Sequence, residues 1–169
     1  MDEGLLLLRA VLGLVMAAHG SQKVFGWFGG YGLDGTGGYL EGLGFRPGRS
    51  FALLAGLSEL GGGLTVALGL FGPIGSALII AVMIVAAVAV HWQGGLFATS
   101  NGIELPLLYA TAAAALALTG PGRYSLDALL GLTSLWTPAL VWSALTIGVI
   151  GGAANLALRR APAGRAVGV

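Results

Sequence analysis

Seven polar or ionisable side chains interrupt an otherwise apolar sequence, and their positions suggest that they share one site. Histidine and carboxylate groups accept and donate protons, and a tyrosine hydroxyl can hold a polar head group. If successive apolar runs alternate in direction, all of these side chains lie toward one leaflet of a membrane. The pattern therefore predicts one intramembrane ligand pocket. The candidate residues are His19, Gln22, Lys23, Glu59, His91, Glu104 and Tyr109.

The depths of His19 and Glu59 match. At a rise of about 1.5 Å per residue, His19 lies roughly 9 Å from the end of the first run, and Glu59 lies roughly 12 Å from the start of the second. A charged side chain near a helix centre costs ~2.5–3.5 kcal/mol on insertion, so it normally faces the bundle interior and finds a partner. We expect Glu59 to do so and to interact with His19. In a purely structural alternative, Glu59 pairs with His19 or Lys23 only to hold helices together, and Lys23 and Arg9 reach opposite interfaces.

Three kinds of ligand could use this set. Two histidines and two glutamates could bind a divalent metal, but the Glu-x-x-His spacing of di-iron bundles is missing and the depths differ. Two histidines could ligate haem, but His19 and His91 differ in depth. A quinone or another apolar ligand, held at its head group by His19, Glu59 and Tyr109, suits an apolar cavity with few polar groups. The residues therefore favour a quinone over a metal ion or haem, and they identify no catalytic residue.

The elements that carry these residues are expected to be membrane-spanning helices. Of the 169 residues, 56% are hydrophobic and 9% are charged, whereas a soluble domain carries about 25% charged residues. The mean hydropathy is +0.90. The predicted fold is an all-α membrane protein, a four-helix transmembrane bundle plus a fifth transmembrane helix, in one membrane domain over residues 1–169. The apolar runs are residues 4–25, 51–70, 73–92, 103–118 and 138–158.

Charge and cysteine content exclude several classes of function. The formal net charge of +1 provides no basic patch for nucleic acid. The chain contains no cysteine, which excludes disulfides, iron–sulfur ligation and thiol–disulfide chemistry by its own residues. A redox reaction would therefore need another cofactor or a partner subunit.

Two connections are expected to contain short helices. Residues 36–43 predict a short helix in the head-group region, because their apolar side chains share one helical face. The segment Gly120–Asp127 is a break followed by a helix start. Ser125 is positioned as the N-cap, and Asp127 is favoured by the amino-terminal helix dipole and could pair with Arg123.

The distribution of Arg and Lys predicts an orientation. Six of these residues flank the first connection or follow the fifth run, and Arg9 and Arg123 lie at the opposite end. With five spans, the positive-inside rule places the six in the cytoplasm, together with the C-terminus, and Met1 outside. The six residues are Lys23, Arg46, Arg49, Arg159, Arg160 and Arg165.

Four segments form a pattern: Leu8–Gly13, His19–Gly26, Glu59–Gly61 and the closing segment Gly-Pro-Gly-Arg-Tyr-Ser-Leu-Asp at residues 120–127. Together these segments resemble the DoxX family of small bacterial membrane proteins. The resemblance implies a four-helix core over residues 1–130, to which residues 136–160 add a further transmembrane helix. The positions that match the family pattern are Arg9, Gly20, Lys23, Glu59, Arg123, Ser125 and Asp127.

The resemblance implies a multi-pass protein of the bacterial plasma membrane and offers two classes of function. Some relatives are associated with thiosulfate:quinone oxidoreduction, and others with complexes that manage thiol or oxidative stress. The first hypothesis is a quinone-facing subunit of a membrane oxidoreductase, with a partner redox subunit or as a homo-oligomer. The alternative is a non-catalytic subunit that binds a lipid-like ligand or scaffolds other proteins. Whether the chain is itself an enzyme is open under both.

Overall fold

Seven α-helices form the described part of the protein, which is residues 1–160 of the computed structural model. This part contains no β-strand, and the predicted all-α fold is confirmed. Helix α4 continues through a π-helical turn, Ala87–His91, and a 3-10 turn that ends at Gly94. The helices are α1 (Asp2–Phe25), α2 (Gly32–Gly42), α3 (Gly48–Leu68), α4 (Ile74–Ala86), α5 (Glu104–Thr119), α6 (Leu126–Leu129) and α7 (Pro138–Ala157).

Four helices of the described chain are long and apolar enough to cross a membrane. They are α1, α3, the extended α4 as far as Gly94, and α7. The run predicted at residues 103–118 is α5, a shorter apolar helix of 16 residues. Pro106 lies in the first turn of α5, where a helix tolerates the missing backbone donor. The sequence-based membrane bundle is confirmed, with α5 as its short member.

Helices α1 and α3 form the most extensive helix pair of the described chain. Each helix carries two glycines seven residues apart, and these lie on the contact face. A Cβ atom at Gly13 or Gly20 would collide with the α3 backbone, and one at Gly56 or Gly63 would collide with α1. Small residues allow helix backbones to approach closely, so these glycines determine which faces of α1 and α3 meet. Lys23 and Glu59 follow Gly20 and Gly56 by three residues and are therefore brought together.

The helix ends lie at two opposite faces of the bundle. The amino-terminal face contains Met1, the α3–α4 turn and residues 120–137, because Arg123 contacts Asp2 (3.7 Å) and Asp127 N donates to Gly69 O (3.0 Å). The carboxy-terminal face contains residues 26–47, 92–103 and 158–160.

Contacts between distant residues join the parts of the carboxy-terminal face. Arg160 N donates to Gly44 O at 2.9 Å, and Arg159 Nε donates to Leu43 O at 2.5 Å. These bonds place the end of α7 beside the α2–α3 connection, which carries Arg46 and leads to Arg49 in the first turn of α3. The two predicted basic regions therefore lie at the same end of the bundle. The remaining member of the predicted basic set, Arg165, lies outside the described residues.

The core of the bundle lies between α1, α4, α5 and α7. Its members include Met16, Ile79, Ala113 and Leu145, all buried. Many large apolar side chains on the outer surface are exposed in the isolated chain, for example Leu7, Leu14 and Ile147. Such a surface is suited to contact with lipid hydrocarbon.

Candidate functional site

An ion pair between α1 and α3 lies at the centre of the candidate site. Lys23 Nζ is 2.5 Å from Glu59 Oε2, and the Glu59 side chain is 3% exposed. The Lys23 side chain is 29% exposed and lies in the last turn of α1, which is followed by Gly26 in a left-handed conformation (φ 72°). A carboxylate in an apolar bundle needs a nearby opposite charge, and Lys23 supplies it.

His19 lies one turn before Lys23 and has a different partner from the one expected. His19 Nδ1 is 3.2 Å from Gln22 Oε1, and the Gln22 amide nitrogen donates to Phe28 O at 3.2 Å. Glu59 pairs with Lys23, as in the structural alternative, and the structure shows no hydrogen bond between Glu59 and His19. The physical reason is reach, since the four-carbon stem of Lys23 spans the gap between helices while the shorter His19 ring bonds within its own helix.

Tyr109 of α5 completes this group. The centroids of the Tyr109 and His19 rings are 6.3 Å apart, and the ring planes are inclined by 60°. This separation is within the range of tilted aromatic pairs. The structure thus brings five of the seven candidates into one polar cluster, which we call the α1–α3 cluster: His19, Gln22, Lys23, Glu59 and Tyr109.

His91 near the end of the extended α4 and Glu104 at the start of α5 flank a different unit, the α4–α5 connection. His91 Nδ1 is 2.9 Å from Asn101 O, and Glu104 Oε2 accepts a hydrogen bond from Ala98 N at 2.8 Å. Both contacts order the connection at the carboxy-terminal face. Within residues 1–160, no three His, Asp or Glu side chains lie close enough together to hold a metal ion.

The closing segment confirms one sequence-based prediction. Ser125 is the N-cap of α6, and its Oγ accepts a hydrogen bond from Ala128 N at 3.2 Å. The same hydroxyl donates to Gly122 O at 2.6 Å, which ties the cap to the preceding glycine turn.

The predicted pair between Arg123 and Asp127 is wrong. Asp127 is fully buried and accepts hydrogen bonds from Phe71 N (2.9 Å), Gly72 N (2.6 Å) and Trp136 Nε1 (2.8 Å). Arg123 contacts the carboxylates at the start of α1 instead. Asp127 points inward because the α3–α4 turn presents backbone N–H groups, and these need a buried acceptor.

Arg9 is buried, whereas the structural alternative expected it to reach an interface. It is 3% exposed, and its guanidinium donates to Ala67 O (Nη1, 3.0 Å) and to Tyr124 O (Nη2). One signal in the sequence could have indicated this inward direction. Arg9 lies one turn before Gly13, and Gly13 faces α3 at Ala67.

The described chain has a shallow cavity of about 380 Å³ lined in part by Arg9, Arg123 and Ser125, and two cavities that are more enclosed. All three lie outside the α1–α3 cluster. The first of the two enclosed cavities, about 580 Å³, is at the amino-terminal face, and its lining includes Arg9, Ser76 and Trp136. The second, about 390 Å³, is an almost wholly apolar groove between α3, α4 and α7, with Phe51 and Ala55 in its lining. The cavities therefore lie apart from the seven candidate pocket residues, although Arg9 and Arg123 line both the shallow cavity and the first enclosed one.

Comparison with known proteins supports the interpretation of the sequence. The DoxX family model matches residues 4–92, which is more than half of the chain and runs from α1, without its first two residues, through α4. Comparisons with curated proteins and with solved structures found no match. The matched region contains Arg9, Lys23 and Glu59 and ends before the closing segment. With its membrane-spanning helices and this match, the chain is a small integral membrane protein that belongs to the DoxX family.

Proposed function

We propose that this protein is the quinone-facing subunit of a membrane oxidoreductase and that the α1–α3 cluster binds the quinone head group. The observation that supports this proposal is the buried Lys23–Glu59 pair, with His19 and Tyr109 beside it in an apolar bundle. Reduction of a quinone to a hydroquinone takes two electrons and two protons, one proton for each carbonyl oxygen. A site for this chemistry needs proton carriers next to an apolar surface.

The residues of the cluster have distinct proposed tasks. Gln22 Oε1 accepts from His19 in the tautomer that carries hydrogen on Nδ1, and His19 Nε2 is then the nitrogen that exchanges a proton with the ligand. Glu59 is the second proton carrier, and Lys23 balances its charge. The Tyr109 hydroxyl positions the head group. Electrons come from a partner subunit, because the chain contains no cysteine for a thiol relay.

Quinone titration of the purified protein in nanodiscs tests this proposal. A short-chain benzoquinone should bind saturably, and Glu59→Gln or His19→Gln should weaken its binding at least ~10-fold through loss of a proton-exchanging hydrogen bond to the head group. The matched control is Asp34→Asn, whose carboxylate is 85% exposed on α2. Lack of saturable binding, or equal affinity in all variants, would refute the proposal.

A second candidate function is binding of a lipid-like molecule without catalysis. The apolar groove of about 390 Å³ between α3, α4 and α7 favours it, because such a surface suits an acyl or isoprenoid chain. Mass spectrometry of lipids extracted from the purified protein tests it. Ala55→Phe should deplete a lipid that co-purifies with the wild type, whereas Glu59→Gln should retain that lipid. Equal lipid content in the wild type and Ala55→Phe would count against this candidate.

We also propose that the carboxy-terminal face is cytoplasmic in a bacterial plasma membrane. Five basic residues lie at or beside this face, while Arg9 and Arg123 lie toward the other. The five are Lys23 in the last turn of α1, Arg46 before α3, Arg49 in its first turn, and Arg159 and Arg160 after α7. Because cytoplasmic segments are enriched in Lys and Arg, this imbalance supports an external amino-terminal face.

A further inference from the structure

Arg9 is a buried cation whose hydrogen-bonding capacity is only partly used. A guanidinium carries five N–H groups. Two backbone carbonyls, at Ala67 and Tyr124, accept from the terminal nitrogens, and the buried Nε has no acceptor among the described residues. Both acceptors are neutral, and the ion pairs of the described chain do not include Arg9. Because burying an uncompensated charge is costly, the environment of Arg9 favours an additional anionic group.

Arg9 also lines the cavity of about 580 Å³ at the amino-terminal face. This volume is within the range of small-molecule sites, roughly 300–1,000 Å³. Thr65, Ser76 and Thr119 line the cavity with Arg9, and Arg123 is the other charged residue of its lining. Arg123 already contacts the carboxylates of Asp2 and Glu3. Arg9 is thus the positive charge that remains available to a ligand in the cavity.

The far wall of this cavity is apolar and borders the bilayer. Leu116 of α5 and Val141 and Trp142 of α7 belong to the lining, and Trp142 is 60% exposed on the outer surface of the bundle. The ring of Trp136 forms another part of the wall, and its Nε1–H is held by Asp127. The cavity therefore has a cationic end inside the bundle and an apolar end toward lipid.

We propose that this cavity binds an amphiphile with an oxyanion head group, a carboxylate or a phosphate, at Arg9. Arginine suits both head groups because its planar N–H groups match two oxygens of one anion. The apolar chain of the ligand leaves along α5 and α7 into the bilayer. This site lies at the opposite face from the α1–α3 cluster, so it does not depend on the proposed quinone function.

Tryptophan fluorescence offers a local measure of binding. The chain contains four tryptophans, and two of them, Trp136 and Trp142, line the cavity. Replacing Trp27 and Trp92 with Phe leaves these two as the reporters. In this background, a brominated fatty acid should quench the emission saturably, and the brominated fatty alcohol of the same chain should bind at least ~10-fold more weakly because it lacks the anion.

Variants test whether binding of the brominated acid depends on the Arg9 guanidinium. Arg9→Gln should weaken binding of the brominated acid at least ~10-fold, and Arg9→Lys should retain part of the affinity. Arg49→Gln, at the opposite face, is the matched control and should bind as the parent does. Equal affinity of Arg9→Gln and the parent would overturn the proposal. The comparison of the brominated acid with the brominated alcohol uses no Arg9 variant. Equal affinities for the acid and the alcohol would therefore overturn the proposal even if Arg9→Gln fails to fold.

Two further titrations distinguish the source of the oxyanion. A phosphatidic acid with brominated chains, added to phosphatidylcholine nanodiscs, should quench the same tryptophans if the ligand is a membrane lipid. Displacement of the fatty acid by inorganic phosphate at similar concentration would refute the chain-bearing ligand and assign the site to a small oxyanion.

Discussion

Replacing Asp127 with Asn should destabilise the bundle strongly without any change in side-chain size. The Asp127 carboxylate is fully buried and joins three parts of the chain. One oxygen accepts from Phe71 N, and the other accepts from Gly72 N and Trp136 Nε1, all within 2.9 Å. The residue therefore ties the α3–α4 turn to the segment that leads into α7.

The expected magnitude follows from the number of donors. The Asn side chain has one oxygen, which can replace only one of the two carboxylate oxygens of Asp127. Its NH2 group then faces the backbone N–H that donated to the other oxygen. Losing a hydrogen bond to a charged acceptor costs about 1.5–3 kcal/mol, and the two remaining bonds weaken by about 1 kcal/mol each when the acceptor becomes neutral. A neutral side chain is easier to bury, which offsets part of this loss. We expect Asp127→Asn to lower the free energy of unfolding by about 2–4 kcal/mol.

Reversible unfolding in mixed micelles of mild detergent and SDS, followed by circular dichroism, measures this loss. Asp34→Asn is the control, because Asp34 is exposed and its pair with Arg49 (3.4 Å) should contribute at most about 1 kcal/mol. Trp136→Phe removes one donor, and its effect should shrink in the Asp127→Asn background because the two residues share a hydrogen bond. If Asp127→Asn is no less stable than Asp34→Asn, the described role of Asp127 is incorrect.

Three further predictions concern packing, capping and topology. Gly20→Ala should lower stability by at least about 1 kcal/mol in the same unfolding assay, because its Cβ would meet the α3 backbone, whereas Gly61→Ala has open space and should be neutral or stabilising. Ser125→Ala should cost ~0.5–2 kcal/mol in that assay by removing the cap of α6. In intact cells, a membrane-impermeant thiol reagent should label Leu129→Cys at the amino-terminal face but not Gly42→Cys at the opposite face.

Each of these predictions has a definite contrary result. Similar stabilities of the two glycine variants would contradict the close approach of α1 and α3. A Ser125→Ala protein as stable as the wild type would remove the energetic role of the cap. Labelling of Gly42→Cys from outside would reverse the proposed orientation.

The membrane class, the helices and the depths of the polar residues could be predicted from the sequence. Hydropathy and length identify a spanning helix, because a bilayer core has a fixed thickness and a helix rises by about 1.5 Å per residue. The depths of His19 and Glu59 follow from the same arithmetic. The Ser125 cap was also predictable, since its hydrogen bond reaches only three residues along the chain.

The partners of these residues were decided only by the tertiary structure. A sequence indicates how deep a side chain lies but not which neighbour its helix face will meet. The glycine contacts of α1 with α3 turn Lys23 toward Glu59 and Arg9 toward Ala67. Asp127 finds two of its three donors about 55 residues away, in the α3–α4 turn. Such pairs arise from the rotation and packing of whole helices, because local sequence determines helix formation while burial of the shared interior determines which faces meet.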